Sequence, residues 1–328
     1  MLGPDSSART EHTPAPAYRD GTATGPHTGP AGQAIPTRLD GRTTTPVERR
    51  TRRCRRKANQ PMADLNTLLD DLAAESAELE TLVAPLPPAQ WARPTPAAGW
   101  TIAHQIGHLA WTDEVAGLSA RDARTGDTHF TELLTEAAAR ITTFVDDAAA
   151  EAAGMPVPDL LERWRNGRKA LAAALRDVPG EAKVAWFGPP MRPGSMATAR
   201  LMETWAHGQD IADALGVHRT PTDRLHAVAH IGVRTRDFAY AVRELPVPAA
   251  EFRVELTAPS GALWSWGPPD AQQRVTGPAL DFCLLVTQRR HPDDLALQTT
   301  GSEAGRWLPI AQAFAGPPGE GRKAGMFA

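Results

Sequence analysis

From residue 62 onward the apolar residues recur at helical spacing. Leu65, Leu68, Leu69, Leu72, Leu79 and Leu82 follow three- and four-residue steps, which predicts an amphipathic helix opening at Met62 and ended by Pro85, Pro87 and Pro88. Thr101 is placed to N-cap a second helix running to about Arg124. A third fits Thr131–Ala153. A fourth fits Asp159–Val178, with Leu160, Leu161, Trp164, Leu171 and Leu175 as its stripe. The Pro/Gly-rich stretch Gly188–Gly194 leads to a fifth, Ser195–Leu215, closed by Gly216, and Thr222 or Asp223 caps a sixth towards Arg243.

After Pro248 the period shortens to two. Phe252, Val254 and Leu256 alternate, Pro259–Ser260–Gly261 turns the chain, and Leu263–Trp264–Ser265–Trp266 returns, a β-hairpin pattern. Helices over Gly277–Arg290 and Glu303–Ala315 follow. The expected fold is α+β: a helical bundle over residues 62–220, then a smaller α+β domain over 221–318 and a flexible tail over 319–328.

Residues 1–61 break this pattern. They are rich in Thr, Pro, Gly and Ala and hold only Leu2, Ile35, Leu39 and Val47 as aliphatic anchors, too little apolar surface to offset ordering entropy, so a disordered head is expected. Its end, Arg49–Lys57, is strongly basic. The segment reads as a solvated tail, or as upstream sequence ahead of an alternative start at Met62, rather than a nucleic-acid or membrane arm. No apolar core follows the charges, so no secretory signal is read.

Composition narrows the function. The formal net charge of -3 divides unevenly: the first 61 residues carry 11 Lys and Arg against 5 Asp and Glu, leaving an acidic body unsuited to phosphate backbones. Neither nucleic acid nor membrane is therefore an expected partner. The two cysteines, Cys54 and Cys283, lie far apart, which excludes a disulfide framework and points to a reducing cytoplasm. There is no His-Glu-x-x-His, P-loop or Gly-x-Ser-x-Gly elbow.

The chemistry gathers in two places. One is Gly99–Trp–Thr–Ile–Ala–His104–Gln–Ile–Gly–His108, the other Glu203–Thr–Trp–Ala–His207–Gly–Gln–Asp210. Glu203 and His207, four apart on a helix, can face one ion, and His108 supplies a third ligand if its helix lies opposite. Three N/O ligands leave a position open for water or substrate, the pattern of catalytic zinc. A solvated helix face can carry the same spacing with no metal. His104 can share a metal with His108 or lie at the surface, and Asp210 can hold the free ring nitrogen of a ligating histidine, cap, or form an ion pair. Trp205 is expected to pack against a neighbouring helix and Trp100 to anchor the start of one. His226 and His230 read as ordinary helix residues.

In combination these stretches resemble the metal-binding bundle of the DinB and mycothiol-dependent maleylpyruvate isomerase superfamily, over residues 62–220. The stretch Arg274–Arg290 resembles the isomerase's C-terminal domain, and the whole likeness, to an actinobacterial metal-binding group, covers roughly 62–320. The resemblance implies His108, Glu203 and His207 as the ligands of a divalent metal, zinc by preference. It further implies a low-molecular-weight thiol, mycothiol, activated to attack a small electrophile, with Arg289 or Arg290 binding substrate. Isomerase and S-transferase share that first step. A non-catalytic metal or small-ligand binder is the alternative. A tRNA role in wyosine formation, sometimes attached to such C-terminal parts, sits poorly with the acidic body and the absence of iron–sulfur cysteines.

Overall fold

The computed structural model describes residues 63–327, apart from 139, 141 and 142. The expected disordered head and the helix start at Met62 lie outside the described residues. Helix α1 (Leu65–Val83) begins instead behind Asp64, whose carboxylate accepts from the amides of Asn66 at 3.0 Å and Thr67 at 3.1 Å. A short α2 (Pro88–Trp91) and a loop lead to α3 (Ile102–Thr125), then α4 (His129–Ala138), α5 (Phe144–Ala153), α6 (Val157–Asp177) and α7 (Pro193–Leu215). The expected third helix is therefore two, with Arg140 and Thr143 in turns between them.

Helix α3 is the spine of the bundle. It packs along α6 and α5 and across α7, and α1 packs along α7 in the same core. Most of its side chains are buried, including Ile102, Ile106 and Leu109, each withdrawn fully from water. Burial of that kind contributes about 1.5–3 kcal/mol per large aliphatic side chain. Gly107 lets α5 approach α3 closely: a Cβ there would stand 2.8 Å from Ala152 Cβ and 3.0 Å from Ala149 O.

The expected sixth helix is also split, into α8 (Leu225–Arg234) and α9 (Arg236–Ala241). Asp223 does not cap it; its carboxylate accepts instead from the Ser260 amide at 3.1 Å. The sheet runs β2–β1–β3–β4, from β1 (Phe252–Thr257), β2 (Leu263–Trp266), β3 (Gln273–Pro278) and β4 (Gln298–Thr300). β1 is antiparallel to β2 and parallel to β3, and β4 is antiparallel to β3. The hairpin between β1 and β2 turns at Gly261, whose φ of 81° is open to glycine. Strand β3 takes Gly277 and Pro278, so α10 (Ala279–Val286) is shorter than the helix expected over Gly277–Arg290. Arg289 and Arg290 consequently sit in the loop after it. The last helix, α11 (Ser302–Trp307), gives way to a single 3-10 turn at Leu308–Ile310.

The two halves share a core. Met202, Trp205 and Ala206 of α7 pack with Leu225 and Val228 of α8 and with the inner face of the sheet and Trp307. Trp205 thus has the packing role expected of it, on the side of α7 away from His207. Helix α7 is therefore held by α1 and α3 on one side and by α8 on the other. The final segment makes contacts of its own with the rest of the chain. Arg322 bonds Asp210 of α7 at 2.6 Å, the Gly325 amide donates to Asp294 at 2.9 Å, and Phe327 lies under the Arg290 guanidinium. Among the described residues no helix is long and apolar enough to cross a membrane.

Candidate metal centre

Helices α3 and α7 run antiparallel and meet through three polar rungs. Gln105 meets His207, His108 meets Glu203, and Asp113 meets Arg200. The middle rung carries the expected ligands. His108 Nε2 stands 3.7 Å from Glu203 Oε2, and His207 Nε2 stands 3.1 Å from the same oxygen. One ligand atom from each of the three residues falls within 4.8 Å of the other two. The imidazoles of His108 and His207 are 4.5 Å apart between centroids. The four-residue helical step aligns Glu203 with His207, and packing of α3 on α7 brings in a residue ninety-five positions away in sequence.

The protonation of this cluster suits a cation. Burial, reinforced by the nearby His207, lowers His108 to about 4, so its ring is neutral near pH 7. Burial alone would raise Glu203, but the two imidazoles set against it outweigh burial and hold the carboxyl well below its usual range. A neutral imidazole and an ionised carboxylate are the forms in which these side chains ligate. His108 Nδ1 is buried without a hydrogen-bond partner.

Around the cluster, Trp100 lies nearly parallel to His207, at 5.8 Å and 18°, and 5.3 Å from His108. Its indole nitrogen donates to Asp146 at 2.9 Å. Trp100 therefore belongs to the site, beyond the anchoring role read for it. Trp111, one turn along α3 from His108, continues the aromatic wall to Phe144 and Phe187. On the far side, the ion pair of Arg200 and Asp113 closes the bundle at 2.9 Å, with both side chains only 2% exposed.

Two expected neighbours of the ligands are placed otherwise. His104 turns back to the start of α3, with Nδ1 2.8 Å from Thr101 Oγ1 and 3.3 Å from the Thr101 amide nitrogen, completing the helix cap in place of the usual Glu or Gln. Asp210 does not hold His207. It is fully buried between Arg289 at 2.8 Å and Arg322 at 2.6 Å, and although burial alone would raise it, those guanidiniums keep it below its ordinary value. The partner of His207 Nδ1 is Gln105, which in turn donates to Thr95 Oγ1 at 2.9 Å. Sequence reading missed Gln105, because a glutamine three residues before a histidine carries no signal until its partner 102 positions away is known.

The arginine question divides cleanly. Arg290 is engaged with Asp213, at 2.7 and 2.8 Å, and with Phe327. Arg289 shares Asp210 with Arg322, one turn along α7 from His207, so two cations meet one carboxylate there. His226 and His230 of α8 stay apart from the centre, against Trp264 and Trp266; burial lowers His230 to about 4. A second group of potential ligands, Asp122, Asp127 and His129, lies at the exposed turn from α3 to α4. There Asp122 is already occupied by the Phe130 amide at 2.7 Å and by His129 at 3.1 Å.

Comparison with known proteins agrees with this architecture. Residues 72–212 match the family described as mycothiol maleylpyruvate isomerase N-terminal domain, and residues 248–300 match one described as wyosine base formation. Uncharacterized proteins from two strains of Mycobacterium tuberculosis are 59% identical over 261 residues, covering 80% of this chain and 100% of theirs. Among solved structures, the mycothiol-dependent maleylpyruvate isomerase and a mutant of it share the fold, with TM-scores of 0.51 and 0.53. Each match is 14% identical and covers 78% of this chain and 97% of the isomerase. The chain belongs to one family with these Mycobacterium tuberculosis proteins, and its helical bundle matches the mycothiol maleylpyruvate isomerase N-terminal domain over residues 72–212.

Proposed function

We propose that this protein is a divalent-metal-dependent, thiol-using enzyme, an isomerase or S-transferase with mycothiol as the thiol and a small electrophile as second substrate. The observation that carries the reading is the convergence of His108, Glu203 and His207 from two helices of a bundle that matches the mycothiol maleylpyruvate isomerase N-terminal domain. Two imidazoles and one carboxylate are the donor set of catalytic zinc, with room for an exogenous ligand. When bound there, zinc would supply a Lewis acid able to bring a thiol's pKa towards neutrality.

The chain's own residues define the rest of the reaction space. Trp100 and Trp111 flank the imidazoles of the cluster. Arg289 and Arg322, sharing the single charge of Asp210, leave a net positive charge near His207 that favours a substrate carboxylate or a developing anion. Of the two arginines read from sequence, Arg289 is the one that fits this role. Thiolate attack on an electrophilic carbon then has two outcomes. Addition, rotation and loss of the thiol isomerises an unsaturated acid; displacement of a leaving group makes a thioether. The reading assumes a reducing cytoplasm, where such thiols persist.

The test is turnover. Zinc-loaded protein is incubated with mycothiol and either maleylpyruvate or a chlorinated aromatic electrophile, and loss of the electrophile is followed. Conversion that disappears in Glu203→Gln and His207→Ala supports the enzyme. Thiol binding without conversion across a broad electrophile panel would instead establish a non-catalytic binder. The match of residues 248–300 to a wyosine-formation family favours a second reading, in tRNA modification. It predicts saturable binding of the intact protein to unmodified tRNA; the acidic body argues for none.

A further inference from the structure

Gln105 is wholly buried on α3, and each of its hydrogen bonds has a fixed direction. Thr95 donates its only hydroxyl hydrogen to the Trp100 carbonyl at 2.9 Å. What Thr95 Oγ1 has left is acceptor capacity, and the amide nitrogen of Gln105 fills it at 2.9 Å. The amide is thereby oriented with Oε1 towards His207 Nδ1. A carbonyl oxygen cannot donate, so His207 must present Nδ1–H to it. The lone pair of His207 then resides on Nε2, the atom 3.1 Å from Glu203 Oε2.

We infer that Gln105, oriented by Thr95, is a positioning residue that selects the His207 tautomer able to ligate through Nε2. This rests on the metal reading above and deepens it. Two acceptors facing each other at 3.1 Å repel unless a cation lies between them, so the relay keeps the cluster prepared for metal. The hydrogen bond behind a ligating histidine normally fixes both ring orientation and basicity, and its loss costs 10–100-fold in metal affinity. In this chain that support comes from a neutral amide on the facing helix. It also ties the centre to the Thr95–Trp100 loop, whose tryptophan covers the same imidazole.

Two measurements test the inference. Nitrogen-15 NMR of metal-free protein at mildly alkaline pH, with His207 assigned against a His207→Ala sample, should show the Nδ1–H tautomer. Zinc affinity by chelator competition should fall 10–100-fold in Gln105→Leu and recover to within a few-fold in Gln105→Glu, whose carboxylate accepts from Nδ1–H in either orientation. Thr95→Val should weaken zinc several-fold when Gln105 is present and leave the Gln105→Glu background unchanged, because a carboxylate needs no orienting. A packing role for Thr95 would instead penalise both backgrounds equally, which overturns the relay. An Nε2–H tautomer in the metal-free protein overturns it as well. The tautomer readout needs no metal, so a protein that fails to bind zinc would defeat the metal reading while the relay is still decided.

Discussion

The ion pair between Arg200 and Asp113 offers a severe test of how the two ligand helices are held. Both side chains are about 2% exposed, so neither charge is screened by solvent, and Arg200 Nη2 is buried with no hydrogen-bond partner. Arg200→Met removes the cation and leaves the Asp113 carboxylate buried alone, a change that costs about 3–5 kcal/mol. For a protein of this size each kcal/mol lowers Tm by roughly 2–4 °C, so the midpoint should drop by at least roughly 6 °C. The loss depends on pH. Burial already raises Asp113 against the pull of Arg200, and removing Arg200 raises it further. A carboxyl whose folded pKa exceeds its unfolded value loses stability as pH rises between the two, so the deficit should shrink in mildly acidic buffer. Because the native pair is imperfectly satisfied, Arg200→Met with Asp113→Leu should recover most of the loss. The assay is a double-mutant cycle by urea denaturation at two pH values. Purely additive single losses, or a variant within 1 kcal/mol of the native protein, would refute the buried-pair account.

Other outcomes follow from separate parts of the structure. Gly107→Val should destabilise by about 1–3 kcal/mol in denaturant titration, since its side chain meets Ala152 and the α5 backbone beside His108. Metal-free protein should lose thermal stability as pH falls from 7 towards 4, because His108 and His230 are neutral in the fold and lowered to about 4, whereas the unfolded chain binds those protons near 6.5. His230→Gln should flatten that profile, and an unchanged profile would contradict its burial. Cobalt(II) should quench intrinsic fluorescence through Trp100, stacked on His207, so Trp100→Phe should remove the larger part of the quench.

Much of the bundle was legible because long stripes of leucine at helical spacing leave few alternatives, as in α1 and α6. The limits of α3 were readable too, from Thr101 at one end and the ligand-bearing stretch beyond it. Short elements were not. Strand β4 exposes all three of its residues, and β3 buries only Val275 fully, so neither shows an alternating face, and Gly277–Pro278 read as the start of a helix when they end a strand. The candidate ligand set was visible in spacing and resemblance together, since Glu203 and His207 fall on one helical face. Its surroundings were not: Gln105, Thr95 and Arg322 act through partners that only the folded chain brings near. Asp210 shows the cost of reading proximity along a helix as a bond. It lies a turn from His207, yet two arginines from distant segments claim it.

Metal content decides the central claim most directly. Plasma emission on protein purified without chelator should find one divalent ion per chain, zinc by preference. His108→Ala, Glu203→Ala and His207→Ala should each reduce that occupancy sharply while the fold, by circular dichroism, is kept. Absence of stoichiometric metal in the native protein, or occupancy unchanged in the three variants, would contradict the account.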